Sequence, residues 1–323
     1  MYKIGNSGFT NVFLKVAYPL TTIKFNQRTN KKISKQPFQI CITVDTEPGY
    51  VKKDYTRKWI TKEKDNPIGY TAGIKHLLDL ADKYDIKLTF LLCTKAFSYE
   101  EKDEIIPLLK KAFKKGHEIG LHHHPERNPL INGKYPSSKF YKTEEIQKNL
   151  RKEKEIIKKC LGEEISKNVV SFRWGNWALF ENAYPALEKE GFKIDSSAVP
   201  GINGHLKDNK IYDWKKEKRR FPWLLKDTKV LEIPIATFSM FGKTFRADPF
   251  LNSQLLINGF KKYHSNQTIK SKPFKFVVIT HTNEMTKEDG SPSYVLKNLE
   301  SFIIYAQKYF VQFNTLSDEK RKI

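Results

Sequence analysis

The sequence predicts an α/β fold, with a parallel sheet and its helices wound into a (β/α) barrel in one domain. Three observations carry this reading. Short apolar runs alternate with helix-period stretches from about residue 38 to the end, the pattern of consecutive βαβ units. A length of 323 residues suits one barrel, which takes about 250 residues plus insertions. Finally, Asp45, Glu47, His122, His124, Arg173, Asp195 and His281 all stand at or just beyond the carboxyl end of a predicted strand. In parallel β/α folds that edge is where functional sites assemble.

The elements follow in order. Phe38–Val44, rich in β-branched residues, stops at Asp45-Thr46-Glu47 and a Pro-Gly turn, and reads as the first strand. From Gly73 to Tyr84, Ile74, Leu77, Leu78 and Ala81 share one helical face. Lys87–Cys93 is a second strand, and Asp103–Lys115 a second helix with Pro107 early enough to be accommodated near its first turn. His117–His122 is a third strand running into a histidine-rich loop. Thr143–Leu161 is a long charged helix with Ile146, Leu150, Ile156 and Ile157 facing inward. Val169–Arg173 is a strand, Ala183–Glu190 a helix, and Phe192–Asp195 and Leu231–Ile235 are short strands. Phe276–Thr280 runs straight into His281, and Tyr294–Gln307 is a closing helix. The polar, basic stretch Gly201–Lys229 reads as an insertion loop, and residues 1–37 as an N-terminal extension ahead of the domain at 38–323.

A hydrophobic content of 39% supplies a sizeable core and excludes a disordered chain. Cys41, Cys93 and Cys160 are odd in number and widely spaced. They suggest neither a disulfide framework nor a thiolate zinc site, and they suit a reducing compartment. The apolar stretch Asn11–Leu20 is broken by Lys15 and Pro19, lacks the flanks of a leader peptide and is too short to span a bilayer. A cytoplasmic location is expected.

The net charge of +22 draws the chain toward polyanions, whether phosphorylated substrates, anionic lipid surfaces or nucleic acid. Lysines on solvated helix faces, such as Lys152, Lys154, Lys158 and Lys159, account for much of it. With no zinc finger, aromatic-basic consensus or basic tail, specific nucleic-acid binding is not expected.

The most specific local signal is His117–Pro125. In an extended segment His-x-His turns two imidazoles to the same side, where one ion can bridge His122 and His124. Asp45 and Glu47 offer two carboxylates on one side of a strand end, one able to bind metal and the other to take a proton from water. Arg173 can fix a carboxylate by a bidentate contact. His281, after an apolar strand, suits a general acid. Trp174, Trp177, Trp214 and Trp223 could stack on sugars, although core packing is the commoner role of such residues.

Together these segments resemble the polysaccharide-deacetylase (NodB-homology) family, also called carbohydrate esterase family 4, over roughly residues 38–310. Thr43–Glu47 is similar to its first motif, Gly116–Pro125 to its second and Ser171–Trp177 to its third. Gly191–Ser197 resembles the Asp-Ser-Ser segment that follows, and Val277–Glu284 the final motif. The resemblance implies a distorted barrel that hydrolyses an acetamido group with the help of a divalent metal, zinc being the expected one. It implies Asp45 as base, His281 as acid, Arg173 as orienter of the base, and Glu47, His122 and His124 as metal ligands.

Thr46 stands where the commonest first motif has a metal-binding aspartate, so Glu47 takes that role by inference. The commonest second motif spaces its histidines four apart, which would make Glu126 a ligand in place of His124. The His-x-His-Pro form resembles deacetylases of surface-polysaccharide biosynthesis. Trp174, Asn176 and Asp195 stand at positions expected to bind substrate. The expected substrate is an acetylated sugar, phosphorylated or lipid-linked, with peripheral membrane contact. The rival readings are a hydrolase of another C–N bond on the same fold and an inactive carbohydrate-binding relative.

Overall fold

The computed structural model describes residues 37–47, 68–206, 209–266, 274–287 and 289–318. The proposed extension at 1–37 lies outside them apart from Pro37. The main sheet is built from β1 (Phe38–Thr46), β2 (Leu88–Leu92), β3 (Glu118–His123), β4 (Ser171–Trp174), β5 (Ile194–Asp195), β8 (Trp223–Leu224), β9 (Leu231–Glu232), β12 (Lys275–His281) and β13 (Val311–Phe313). Its order is β12-β1-β2-β3-β4-β5-β9-β8, and β13 pairs with the first residues of β1. Just past β9, Ile235 makes a single parallel bridge to Val277 of β12. The sheet thus curls back toward its first edge as a half-barrel.

Helices α1 (Ile68–Tyr84), α2 (Lys102–Lys114), α3 (Thr143–Leu161), α4 (Glu163–Lys167), α5 (Tyr184–Lys189), α6 (Ser253–His264) and α7 (Tyr294–Ala306) complete the βαβ frame. β1 and β2 are buried along nearly their whole length, which is why they read as continuous apolar runs. Helix α3 buries Ile146, Leu150, Ile157 and Leu161 on one stripe, and Glu153 on the same stripe. Gly73 lets α1 approach the turn after β12, since a Cβ there would lie 2.1 Å from the Thr282 carbonyl oxygen.

Three expectations need correction. The sheet is mixed, because β8 runs antiparallel to β9. The stretch 201–229 is not a plain loop: it holds an antiparallel hairpin, β6 (Asn203–Leu206) with β7 (Asn209–Asp213), and then β8. A second hairpin, β10 (Thr237–Met240) with β11 (Lys243–Arg246), and helix α6 fill the interval before β12. Pro107 lies inside α2 rather than in its first turn. Among the described residues no helix is long and apolar enough to cross a membrane.

Candidate metal and acid–base site

Parallel register brings the reactive residues together. Asp45 pairs with His281 across β1 and β12, and His122 pairs with Arg173 across β3 and β4. All four therefore rise from the same edge of the curled sheet. Glu47, one residue past β1, is tied to the β12 end by Thr282, whose Oγ1 accepts from the Glu47 N–H at 3.2 Å and donates to the Glu47 carbonyl at 2.8 Å.

Glu47, His122 and His124 each present a ligand atom within 4.8 Å of the others. Each histidine has its outer nitrogen occupied. His122 Nδ1 lies 3.3 Å from the Arg173 carbonyl, and His124 Nδ1 lies 3.0 Å from Glu126 Oε1. Both Nε2 atoms are thereby left to the cluster: His124 Nε2 is 3.5 Å from Glu47 Oε2 and His122 Nε2 is 3.7 Å from Asp45 Oδ2. The buried His122 Nε2 has no hydrogen-bond partner. A buried, unpaired imidazole nitrogen beside a second imidazole and a carboxylate fits a divalent cation.

The same geometry groups His124, and not Glu126, with Glu47 and His122. Glu126 stands behind the His124 ring, held also by Asn176 Nδ2 at 3.1 Å, and touches the ring's outer nitrogen rather than joining the cluster. Space for the ring comes from Gly175, where a Cβ would meet His124 Nδ1 at 2.4 Å. Asn176 and Trp177, which follow, hold left-handed φ values of 54° and 55°, backbone strain of the kind that gathers at functional sites.

Arg173 is fully buried and spends its donors on three partners. Nη1 binds Asp45 Oδ1 at 2.6 Å, Nη2 binds Thr43 Oγ1 at 2.9 Å and Ser196 Oγ at 3.0 Å, and Nε binds the Ser196 carbonyl at 2.7 Å. The expected bidentate grip is therefore a single contact to Asp45, with the rest of the fork anchoring the guanidinium. Burial opposes the charge on Asp45 most strongly, but Arg173, followed by His122 and His281, holds its carboxyl below the usual range. Glu47 is likewise opposed by burial yet held low, by Arg127 and then His124. Burial above all pushes His122 down to about 4. For His281 burial opposes protonation, but Glu284, then Asp45 and Glu47, raise it to about 10. Its Nδ1 lies 3.1 Å from Glu284 Oε1, and its Nε2 faces Asp45 at 3.8 Å and Glu47 at 3.7 Å.

The three residues expected to bind substrate all have partners within the fold. Trp174 is fully buried and its indole N–H donates to the Pro136 carbonyl at 2.9 Å, so its ring offers no face to a ligand. Asp195 is paired in register with Phe172, on the strand face opposite Arg173. It accepts from Ser197 Oγ at 2.6 Å, and Ser197 Oγ in turn accepts from the Trp174 N–H at 2.9 Å. Burial raises Asp195, and burial with the charge of Asp195 raises Glu232 beside it. Asn176 serves Glu126, as above.

Two contributors escaped the sequence reading. Arg127 donates to Glu47 Oε2 at 3.0 Å, and Glu284 orients His281. Glu284 lies i+3 from the histidine, a spacing that puts it in reach within one turn; Arg127 carried no signal beyond following the histidine loop.

Comparison with known proteins accords with this geometry. Residues 64–194 match the family model described as "Polysaccharide deacetylase", a span holding His122, His124 and Arg173. A probable polysaccharide deacetylase from Pseudomonas aeruginosa PAO1 shares the fold at 15% identity and a TM-score of 0.57, over 87% of this chain and 89% of that one. PuuE allantoinase shares it at 15% identity and a TM-score of 0.54, over 94% and 96% of the two chains. No curated protein matches. The chain is thus similar to polysaccharide deacetylases in fold, and in sequence over residues 64–194.

Proposed function

We propose that this chain is a metal-dependent deacetylase that removes the N-acetyl group from an amino sugar or glycan precursor, in a pathway that builds cell-surface polysaccharide. The observation that carries the reading is the convergence of Glu47, His122 and His124 within 4.8 Å, beside an Asp45 braced by Arg173. These three residues would hold a divalent ion, zinc being the expected one, which would supply Lewis acidity to a water and to the amide carbonyl. Asp45 takes the water proton through Oδ2, the oxygen left free by Arg173. The water oxygen bonds to the acetyl carbon, and the C–N bond breaks as His281 gives its Nε2 proton to the leaving amine. Glu284 keeps that ring oriented. Acetate and a free amino sugar result.

The likeness to PuuE allantoinase over nearly the whole of both chains supports one second reading, hydrolysis of a cyclic amide on the same fold. Metal content of the wild type and of a His122→Ala/His124→Ala variant, followed by acetate release from N-acetylglucosamine oligomers, tests the proposal. Near-stoichiometric metal in the wild type alone, with acetate release, supports it. Turnover of allantoin without acetate release favours the second reading. No metal in either protein after zinc addition overturns both, and leaves a non-catalytic carbohydrate-binding relative.

A further inference from the structure

We propose that the β10–β11 hairpin is a docking arm whose tip, Phe241, enters an anionic lipid surface. Phe241 is 90% exposed at the apex between Met240 and Lys243. With Gly242 it forms a two-residue turn in which both φ values are positive, 51° and 72°. Such hairpin turns favour Asn, Asp or Gly at the first position. A phenylalanine there carries two costs, a left-handed backbone and an apolar ring in water. At that exposure no packing within the fold offsets either of them.

The surroundings are basic. Lys243 is exposed beside the apex, and Lys262 of α6 reaches the hairpin by donating to the Ser239 carbonyl at 3.2 Å. On the other flank Gly201 packs toward Thr244 of β11, and its N–H donates to the Trp214 carbonyl at 2.8 Å. From Trp214 the chain runs on into the exposed Lys215 and Lys216. Of the acids in that segment, Glu217 pairs with Arg219, and Asp213 accepts from the Lys215 N–H. An apolar tip collared by lysines suits a bilayer with anionic headgroups, which takes the ring into its acyl boundary and the ammonium groups at its surface. The +22 net charge acts in the same direction at longer range. The arm is rooted at Ala247, whose carbonyl accepts from Ile279, two residues before His281. Docking would therefore hold the site-bearing edge near the lipid surface. The proposal stands whatever reaction that site performs.

Flotation of the full chain on vesicles of phosphatidylserine and phosphatidylcholine in equal parts, against phosphatidylcholine alone, tests it. Salt-sensitive binding to the mixed vesicles and at least roughly tenfold weaker binding to the neutral ones is expected. Phe241→Ser should weaken binding by roughly tenfold or more, and Lys243→Glu or Lys262→Glu by roughly fivefold each. Phe241→Asn separates docking from a structural role, because Asn suits the left-handed turn: Tm should hold or rise while vesicle binding falls as in the Ser variant. A lowered Tm in Phe241→Asn would give the ring to the fold and overturn the proposal. So would a wild type that ignores both vesicles, equal binding to the two compositions, or undiminished binding by the Phe241 variants.

Discussion

Both ends of the curled sheet bury a carboxylate, and they treat it differently. At the amino end Glu118, the first residue of β3, meets neutral donors only. Ser171 Oγ donates to Oε1, and Thr89 Oγ1 at 2.9 Å and the Ser317 N–H at 3.1 Å donate to Oε2. The segment after β13 closes this end, with the Leu316 N–H on Thr89 Oγ1 and the Asn314 N–H on the Ile40 carbonyl. At the carboxyl end Asp45 and Glu47 meet two guanidinium groups and three imidazoles, and His122 Nε2 is left unpaired. A buried polar group whose partners are complete is part of the scaffold. One that is charged and incompletely partnered is held ready for something that binds.

The sharpest way to break this contrast is to neutralise Asp45. Asp45→Asn should lower kcat by about 10²–10⁴-fold, the usual worth of a general base, while metal content by elemental analysis stays near that of the wild type. Arg173→Met should do something different. It strands a buried carboxylate, so about 3–5 kcal/mol of unfolding free energy should disappear in urea titrations. An Asp45→Asn/Arg173→Met double variant should recover part of that loss. Equal destabilisation in the single and double variants would mean that Arg173 matters chiefly through Ser196 and Thr43.

Much of the carboxyl end was legible in the sequence, because its chemistry sits on strands. Period-two alternation puts His122 on one face and His123 on the other. His123 meets the buried Glu153 at 2.5 Å while His122 faces the site. What stayed hidden was anything decided by packing between distant segments. Glu153 looks like one more charge on a solvated helix until α3 is laid against the end of β3. Trp174 and Asp195 lie next to site residues in sequence and on the opposite strand face in space. The two hairpins at 203–213 and 237–246 lack long apolar runs, so composition alone made the first look like loop. At the amino end, Glu118 appeared only as part of a motif, since its donors come from 29, 53 and 199 residues away.

Two milder substitutions test each end without emptying it. Gly175→Ala pushes a Cβ into the His124 ring, so metal affinity should fall by about 10- to 100-fold, the effect expected when a ligand loses its orientation, with little change in Tm. Unaltered affinity would show that the ring has room to retreat. Glu118→Gln should behave in reverse. Replacing one acceptor oxygen with a donor leaves a hydroxyl or amide unpaired and should cost about 1–3 kcal/mol of stability, with metal content unchanged.

The smallest expected effect lies also at the amino end and separates the two by pH. His117, just before β3, accepts the Leu88 N–H on Nδ1 at 3.1 Å, a contact that requires the neutral ring. Burial, and then Lys87, push it from 6.5 down to about 4. Between those values the unfolded chain binds a proton that the folded chain refuses, so stability rises with pH across the window. The contribution is complete above the unfolded value and fades as pH falls toward 4. By about pH 6 the loss should be about 1 kcal/mol. Urea midpoints of the wild type should decline over that range, and those of His117→Gln, which has no group titrating there, should decline less. Parallel curves for the two proteins would assign the acid sensitivity elsewhere and leave the neutral-donor end without a titrating member.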